Sequence, residues 1–542
     1  MERNMETDVV IVGAGWAGMY ALHRIRNLGL AAVVLEAGDD VGGTWYWNRY
    51  PGARCDVESL HYSYSFDDEL QQEWNWTERY AAQPELLAYA RHVAERYDLR
   101  KDIRFGVRVA AADFNEQQSR WTLTSTDGAT YTARFCIMAT GALSTPKTPE
   151  IQGLEGFEGN VINTFDWPEG HADFTGQRVA VVGTGSSGIQ VIPEIAKTAR
   201  ELLVLQRTPS YSLPARNRPL RPEEVDAAKG DYAALREAAR NSLDGLALEN
   251  TGKSALDVDA GERERVFSEV YEEGSPFKFQ GIFTDQMTNL EANATAAEFA
   301  ARKIAERVED PATAKTLTPS GYPIATRRLC IDTGYYEAYN RPNVTLVDLL
   351  NDPLERIAGS AVQTANQRYE VDTIVLATGF DAITGALTSM DIRGSDGVLL
   401  REKWHHKISS YLGLMVHGFP NLFTVTGPLS PSVLSNMMVS IEHHIEWITE
   451  CIRFLDERQV ERIEATAEAE EAWGEHVNEV ADFTLFPLAN SWYLGANVPG
   501  KSRQILPYVG GVGNYRKHTL EIAADGYRGF ALGSLAAASP AV

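Results

Sequence analysis

Asp8-Val9-Val10-Ile11-Val12-Gly13-Ala14-Gly15-Trp16-Ala17-Gly18 is an apolar run, a glycine-rich turn and the start of a helix. A second apolar run, Ala32-Val33-Val34-Leu35, follows at the spacing of a β-α-β unit. A G-x-G-x-x-G string alone is a weak signal, but in this frame it specifies a dinucleotide site. The glycines let the backbone approach a pyrophosphate, which sits on the free N–H groups of a helix N-terminus. Glu36 comes directly after the second strand and suits ribose hydroxyls as hydrogen-bond partners. A carboxylate there repels a 2′-phosphate, so Gly13, Gly15, Gly18 and Glu36 read as an FAD or NAD site.

The pattern recurs. Val179-Ala180-Val181-Val182 runs into Gly183-Thr184-Gly185-Ser186-Ser187-Gly188, and Leu202-Leu203-Val204-Leu205 is the next strand. Here Arg207 and Thr208 stand where the first copy has its acid, and a cation with a hydroxyl suits the 2′-phosphate of NADP. Two sites of different preference imply a flavin reduced by NADPH. Two more apolar strands, Phe135 to Gly141 and Thr373 to Gly379, end in Ala-Thr-Gly and read as closing strands. Residues 222–316 and 448–480 read as helical, and 482–515 as an ordered loop near a site. The expected fold is α/β: two Rossmann-like dinucleotide-binding domains with a helical insertion. The FAD-binding domain is expected at 1–145 and 381–542, the NADP-binding domain at 146–221 and 317–380, and the insertion at 222–316.

With 50 Lys+Arg against 74 Asp+Glu the net charge is −24, which argues against nucleic acid or an anionic membrane surface as partner. No signal peptide or long apolar run is evident, and the chain reads as cytoplasmic. Cys55, Cys136, Cys330 and Cys451 are widely separated, with no C-x-x-C pair and no metal-ligand spacing. A disulfide reductase lacks its dithiol here, and a haem or iron–sulfur acceptor lacks ligands. Dioxygen is the remaining common acceptor for the reduced flavin.

Phe157-x-Gly159-x3-Asn163-x3-Trp167-Pro168 resembles the F-x-G-x3-H-x3-W-P fingerprint of type I Baeyer–Villiger monooxygenases, with asparagine in place of the histidine. Gly42-Gly43-Thr44-Trp45-Tyr46-Trp47-Asn48-Arg49-Tyr50-Pro51-Gly52-Ala53-Arg54-Cys55-Asp56 is similar to a second signature of that family. Pro323-Ile324-Ala325-Thr326-Arg327-Arg328 is similar to the segment that ends in its catalytic arginine, although Arg327 stands where lysine is usual. Asn490 to Lys501 resembles its mobile loop over the nicotinamide cofactor.

The resemblance implies that NADPH reduces FAD, that dioxygen forms a C4a-peroxyflavin, and that this attacks a ketone. The tetrahedral adduct then rearranges to an ester or lactone; sulfoxidation is an expected side activity. Arg328 is implied as the cation that stabilises negative charge, and Asp56 as its partner. Gly43, Thr44, Trp45, Asp56, Tyr62, Val109 and Met437 join the implied FAD contacts. Arg54, Gln190, Arg327, Arg328 and Trp492 join those to NADP, with Trp492 as the aromatic lid. Leu143, Val433 and Leu434 are implied to line the substrate pocket. Asn163 cannot carry the proton charge of a histidine, which puts domain coupling in question. The alternatives are an N- or S-oxygenating flavin monooxygenase and a non-catalytic redox sensor. Neither the oligomeric state nor the identity of the ketone is legible.

Overall fold

The computed structural model describes residues 4–170 and 173–533; the first three residues of the N-terminal stretch lie outside the described residues. The first sheet runs Asp391–Arg393, Val109–Asn115, Arg120–Ser125, Thr130–Met138, Asn4–Val12, Ala32–Leu35, Ile103–Arg104. Asn4–Val12 is parallel to both neighbours, with Val12 level with Leu35 and Met138. Leu422–Thr424 runs parallel beside Cys136–Met138 in the same sheet. The second sheet is all parallel: Val344–Asp348, Glu201–Gln206, Arg178–Val182, Thr373–Leu376, Asn160–Asn163. Continuous Val/Ile/Leu runs form these central strands because helices and loops cover both faces. Both glycine turns leave their sheets at the carboxyl ends of the strands, where open α/β sheets bind ligands.

The Ala-Thr-Gly strands do not close their sheets; each lies inside, directly beside the strand that carries the glycine turn. Gly13 and Gly183 adopt φ of +103° and +108°. A Cβ on them would stand 2.6 Å from the Ala139 carbonyl and 2.5 Å from the Ala377 carbonyl. Each turn therefore needs glycine where it passes over that carbonyl.

Residues 222–316 form helices Pro222–Gly230, Tyr232–Asn241, Ala260–Glu273, Pro276–Gly281 and Leu290–Arg307, with Pro311–Leu317 following. Phe267, Phe279, Phe283 and Phe299 build a core here that continues through Ile324, Ala325 and Leu329. The helical stretch expected at 448–480 is broken. Helix Met437–Glu457 ends before Gln459, whose φ is +55°, and strand Arg462–Ala465 pairs with Phe530–Gly533 before helix Ala467–Asp482 begins. Residues 483–511 carry only two three-residue turns, Phe486–Leu488 and Trp492–Leu494. Among the described residues no helix is long and apolar enough to cross a membrane.

Candidate active site

At the first turn Glu36 is buried, and its carboxylate accepts from Ala14 N–H at 2.6 Å and Gly38 N–H at 2.7 Å. Burial raises its pKa against the lowering effect of those bonds. Gly43 lies against Gly15: a Cβ on Gly43 would stand 2.8 Å from the Gly15 Cα. Thr44 and Trp45 open the short helix behind it, and Trp45 Nε1 donates to the Tyr62 hydroxyl at 3.3 Å. Met437 begins helix Met437–Glu457, whose cap Asn436 donates to the His61 carbonyl at 2.9 Å, beside Tyr62. Val109 lies two residues past Val107, whose N–H bonds the Glu36 carbonyl at 2.8 Å. The first-site residues thus gather around one sheet edge.

At the second turn Thr184 Oγ1 donates to the Thr208 carbonyl at 3.3 Å, tying the loop to the Arg207-Thr208 segment. Ser186 Oγ lies 3.2 Å from Cys330 Sγ, and a Cβ on Gly185 would meet open space. Arg207 is exposed. Arg327 is half-buried over the Tyr322 ring at 4.6 Å, and burial with the Arg207 charge lowers its pKa against the raising effect of Tyr322. Gln190 reaches across to the other sheet's loop: it accepts from Tyr50 Oη at 2.8 Å and donates to the Arg54 carbonyl at 3.1 Å. The Arg54 guanidinium itself is engaged by Glu78 and the Tyr80 carbonyl.

Arg328 stands between the two turns. Its Nε and Nη2 grip Asp56 at 2.8 and 2.7 Å, and Nη1 donates to the Val433 carbonyl at 2.8 Å. The Phe277 ring lies 4.6 Å from its Cζ. Burial opposes the charge, but the Asp56 carboxylate holds the guanidinium pKa above its ordinary value. A pocket opens at this cation, lined by Pro276, Phe277, Gln280, Ala325, Leu434 and Tyr493. Burial raises the Tyr493 hydroxyl to about 12, so it stays protonated beside Arg328. Leu434 reaches the pocket wall and Val433 supports Arg328 through its carbonyl. Leu143 is half-buried against the first core and is not part of this lining. Phe277, Gln280 and Tyr493 escaped the sequence reading. The first two come from the helical insertion, whose only signal was composition.

The loop around Trp492 is pinned to both crossover segments that join the sheets. Asn497 Nδ2 donates to the Phe380 carbonyl at 2.7 Å, and Lys501 Nζ bonds Asp381 at 2.6 Å and the Ala382 carbonyl at 2.9 Å. Arg327 donates to the Asn490 carbonyl and Lys147 to that of Asn497. Trp492 is half-buried, its ring 4.3 Å from that of Tyr493. Asn163 does none of this: its Oδ1 accepts the Phe165 N–H at 2.9 Å and caps a local turn.

Two glycine turns on separate sheets, with Arg328 held by Asp56 and followed by Cys330 against Ser186 of the second turn, define a two-dinucleotide oxidoreductase. The family model described as pyridine nucleotide-disulphide oxidoreductase matches residues 10–225, but all four cysteines are free and buried. An acetone monooxygenase (methyl acetate-forming) of Gordonia sp. (strain TY-5) is 42% identical over 97% of this chain and 99% of its own. A Baeyer–Villiger monooxygenase of Pseudooceanicola batsensis is 40% identical over 96% and 95%, and a phenazine N-monooxygenase of Lysobacter antibioticus 41% over 97% and 97%. The solved structure of an oxidized steroid monooxygenase bound to NADP superposes with a TM-score of 0.93 at 48% identity, covering 98% of this chain and 100% of that one. The chain belongs to the type I Baeyer–Villiger monooxygenase family.

Proposed function

We propose that this enzyme uses NADPH and dioxygen to convert ketones to esters or lactones, with FAD on the first glycine turn and NADPH on the second. The observation that carries the reading is Arg328, held bidentate by Asp56 and lining a pocket together with Phe277, Leu434 and Tyr493. The residues fit the cofactors. The first turn has an acid bonded to its loop amide, and the second faces open space beside cations. The chemistry FAD supplies when bound is activation of dioxygen for transfer to the substrate.

The chain's own part follows from charge and access. Arg328 presents N–H groups and a fixed positive charge where negative charge develops on oxygen, and Asp56 fixes its direction. The Trp492 loop excludes water, and Leu434 with Phe277 shapes the apolar wall. We assign Gly13, Gly15, Gly18, Glu36, Gly43, Thr44, Trp45, Tyr62, Val109 and Met437 to FAD. Gly183 to Gly188, Gln190, Arg207, Thr208, Arg327 and Trp492 are assigned to NADPH. The domain boundaries and cytoplasmic location expected from the sequence belong to the same proposal. A second reading, oxygenation at nitrogen or sulfur, is favoured by the phenazine N-monooxygenase at 41% identity. Mass spectrometry of products from cyclic, aryl and steroid ketones, amines and sulfides separates the two. Oxygen insertion beside the carbonyl is expected; N-oxides with no ester from any ketone overturn the main reading.

A further inference from the structure

We propose that Lys147 is a third cation for the 2′-phosphate of the nicotinamide cofactor, beside Arg207 and Arg327. This rests on the NADPH reading above. Lys147 lies on the crossover leaving the first sheet, and its backbone is fixed at the floor of the second glycine turn. Its N–H bonds the Gly379 carbonyl at 2.9 Å, and its carbonyl accepts from Thr378 Oγ1 at 2.7 Å. Those residues directly follow Ala377, whose carbonyl underlies Gly183. The Lys147 side chain then reaches up to the Asn497 carbonyl in the Trp492 loop.

Arg207 belongs to the same turn, because its neighbour Thr208 accepts from Thr184 Oγ1 at 3.3 Å. Burial first and the Arg207 charge second lower the Lys147 pKa, and Arg207 also acts on Arg327. Among the described residues none of the three forms an ion pair, whereas Arg328 and Lys501 nearby each hold an aspartate. Glu150 and Asp381 act on Lys147 only at longer range, and Asp381 is already taken by Lys501. Three cations brought together without carboxylates repel one another, and a doubly charged phosphate among them removes the repulsion and satisfies their donors. Arg207 follows a strand of the second sheet and Arg327 follows the helical insertion, whereas Lys147 comes from the crossover. Its hydrogen bond to Asn497 puts the same side chain under the loop that covers the cofactor.

Calorimetric titration of the FAD-loaded protein with NADP+ and NAD+ tests this at equilibrium, without turnover. For Lys147→Met the NADP+ Kd is expected to rise about tenfold, the scale of one charge-assisted hydrogen bond, with the NAD+ Kd unchanged. Lys147→Arg should restore most of the loss, and 2′,5′-ADP should show the same dependence as NADP+. A residue that only props the loop would weaken NADP+ and NAD+ alike, and that result overturns the proposal. So does an unchanged NADP+ Kd in Lys147→Met when Arg207→Ala loses its NADP+ preference. If Arg207→Ala also binds NADP+ and NAD+ in the wild-type ratio, the NADPH assignment itself fails.

Discussion

Arg328 owes its position to three contacts of different kinds: a bidentate carboxylate, a backbone carbonyl and an aromatic face. Lysine could reach one of these but not all, because the planar fork is what satisfies Asp56 and Val433 together. Arg328→Lys should therefore lose activity nearly as completely as Arg328→Ala, by about a hundredfold or more in ester formation. Both variants should still let NADPH bleach the flavin, which stopped-flow absorbance checks. Asn163 is the contrasting case. At the fingerprint histidine's position it caps one turn through the Phe165 N–H, and no coupling between the sheets runs through that bond. Asn163→Ala is expected to cost about 1 kcal/mol of stability and to leave the rate of flavin reduction unchanged. A slowed reduction at unaltered stability would show that this residue does couple the sheets.

At the scale of elements, the Trp492 loop is held by contacts to two crossover segments rather than by packing within itself. Those crossovers run side by side, with Asp381 N–H on the Thr145 carbonyl at 3.0 Å and Ile383 N–H on that of Ala142 at 2.7 Å. Lys501 is the strongest anchor, since its ammonium is nearly buried and pairs with Asp381. Lys501→Met should free the loop from the crossovers. The expected result is a severalfold higher KM for NADPH and more hydrogen peroxide released per NADPH consumed, measured with a peroxidase-coupled assay. The elements themselves differed in how plainly the sequence showed them. The glycine turns and their flanking strands were legible because buried parallel strands are uninterrupted apolar runs and the turns demand glycine. The place of the Ala-Thr-Gly strands was not, because strand order depends on which carbonyl lies under Gly13 or Gly183, a contact far apart in sequence. Strand Arg462–Ala465 escaped for a related reason: it is four residues long and is defined by its partner Phe530–Gly533. Phe277 was hidden because it lies in a segment without a motif, and Tyr493, although inside the loop 490–501, meets Arg328 only through tertiary packing.

For the molecule as a whole, the surface charge and the site charge have opposite signs. A chain of net charge −24 keeps Arg207, Arg327, Arg328 and Lys147 in one region, so anionic cofactors find a local field that the overall balance conceals. The interior sets a second global property, sensitivity to acid. His443 is buried and His61 half-buried, and desolvation lowers them to about 3 and about 4; the buried His444 is lowered as well. The bond at His444 fits the neutral ring, since its Nδ1 accepts the Thr426 N–H at 2.9 Å. Unfolded histidine titrates near 6.5, so below that pH the unfolded chain binds protons that the folded chain refuses. The stability these groups contribute is full above about pH 6.5 and falls as pH drops toward their folded pKa values. By pH 5 the loss is about 2 kcal/mol for each of His61 and His443. Urea midpoints of the FAD-loaded protein should therefore fall steeply between pH 6.5 and 4. His443→Gln, which can keep the hydrogen bond to Thr519, should flatten part of that slope. An equal slope in the variant would move the acid sensitivity to carboxylates such as Asp40 and Glu78, whose lowered pKa values place their losses below pH 4.5.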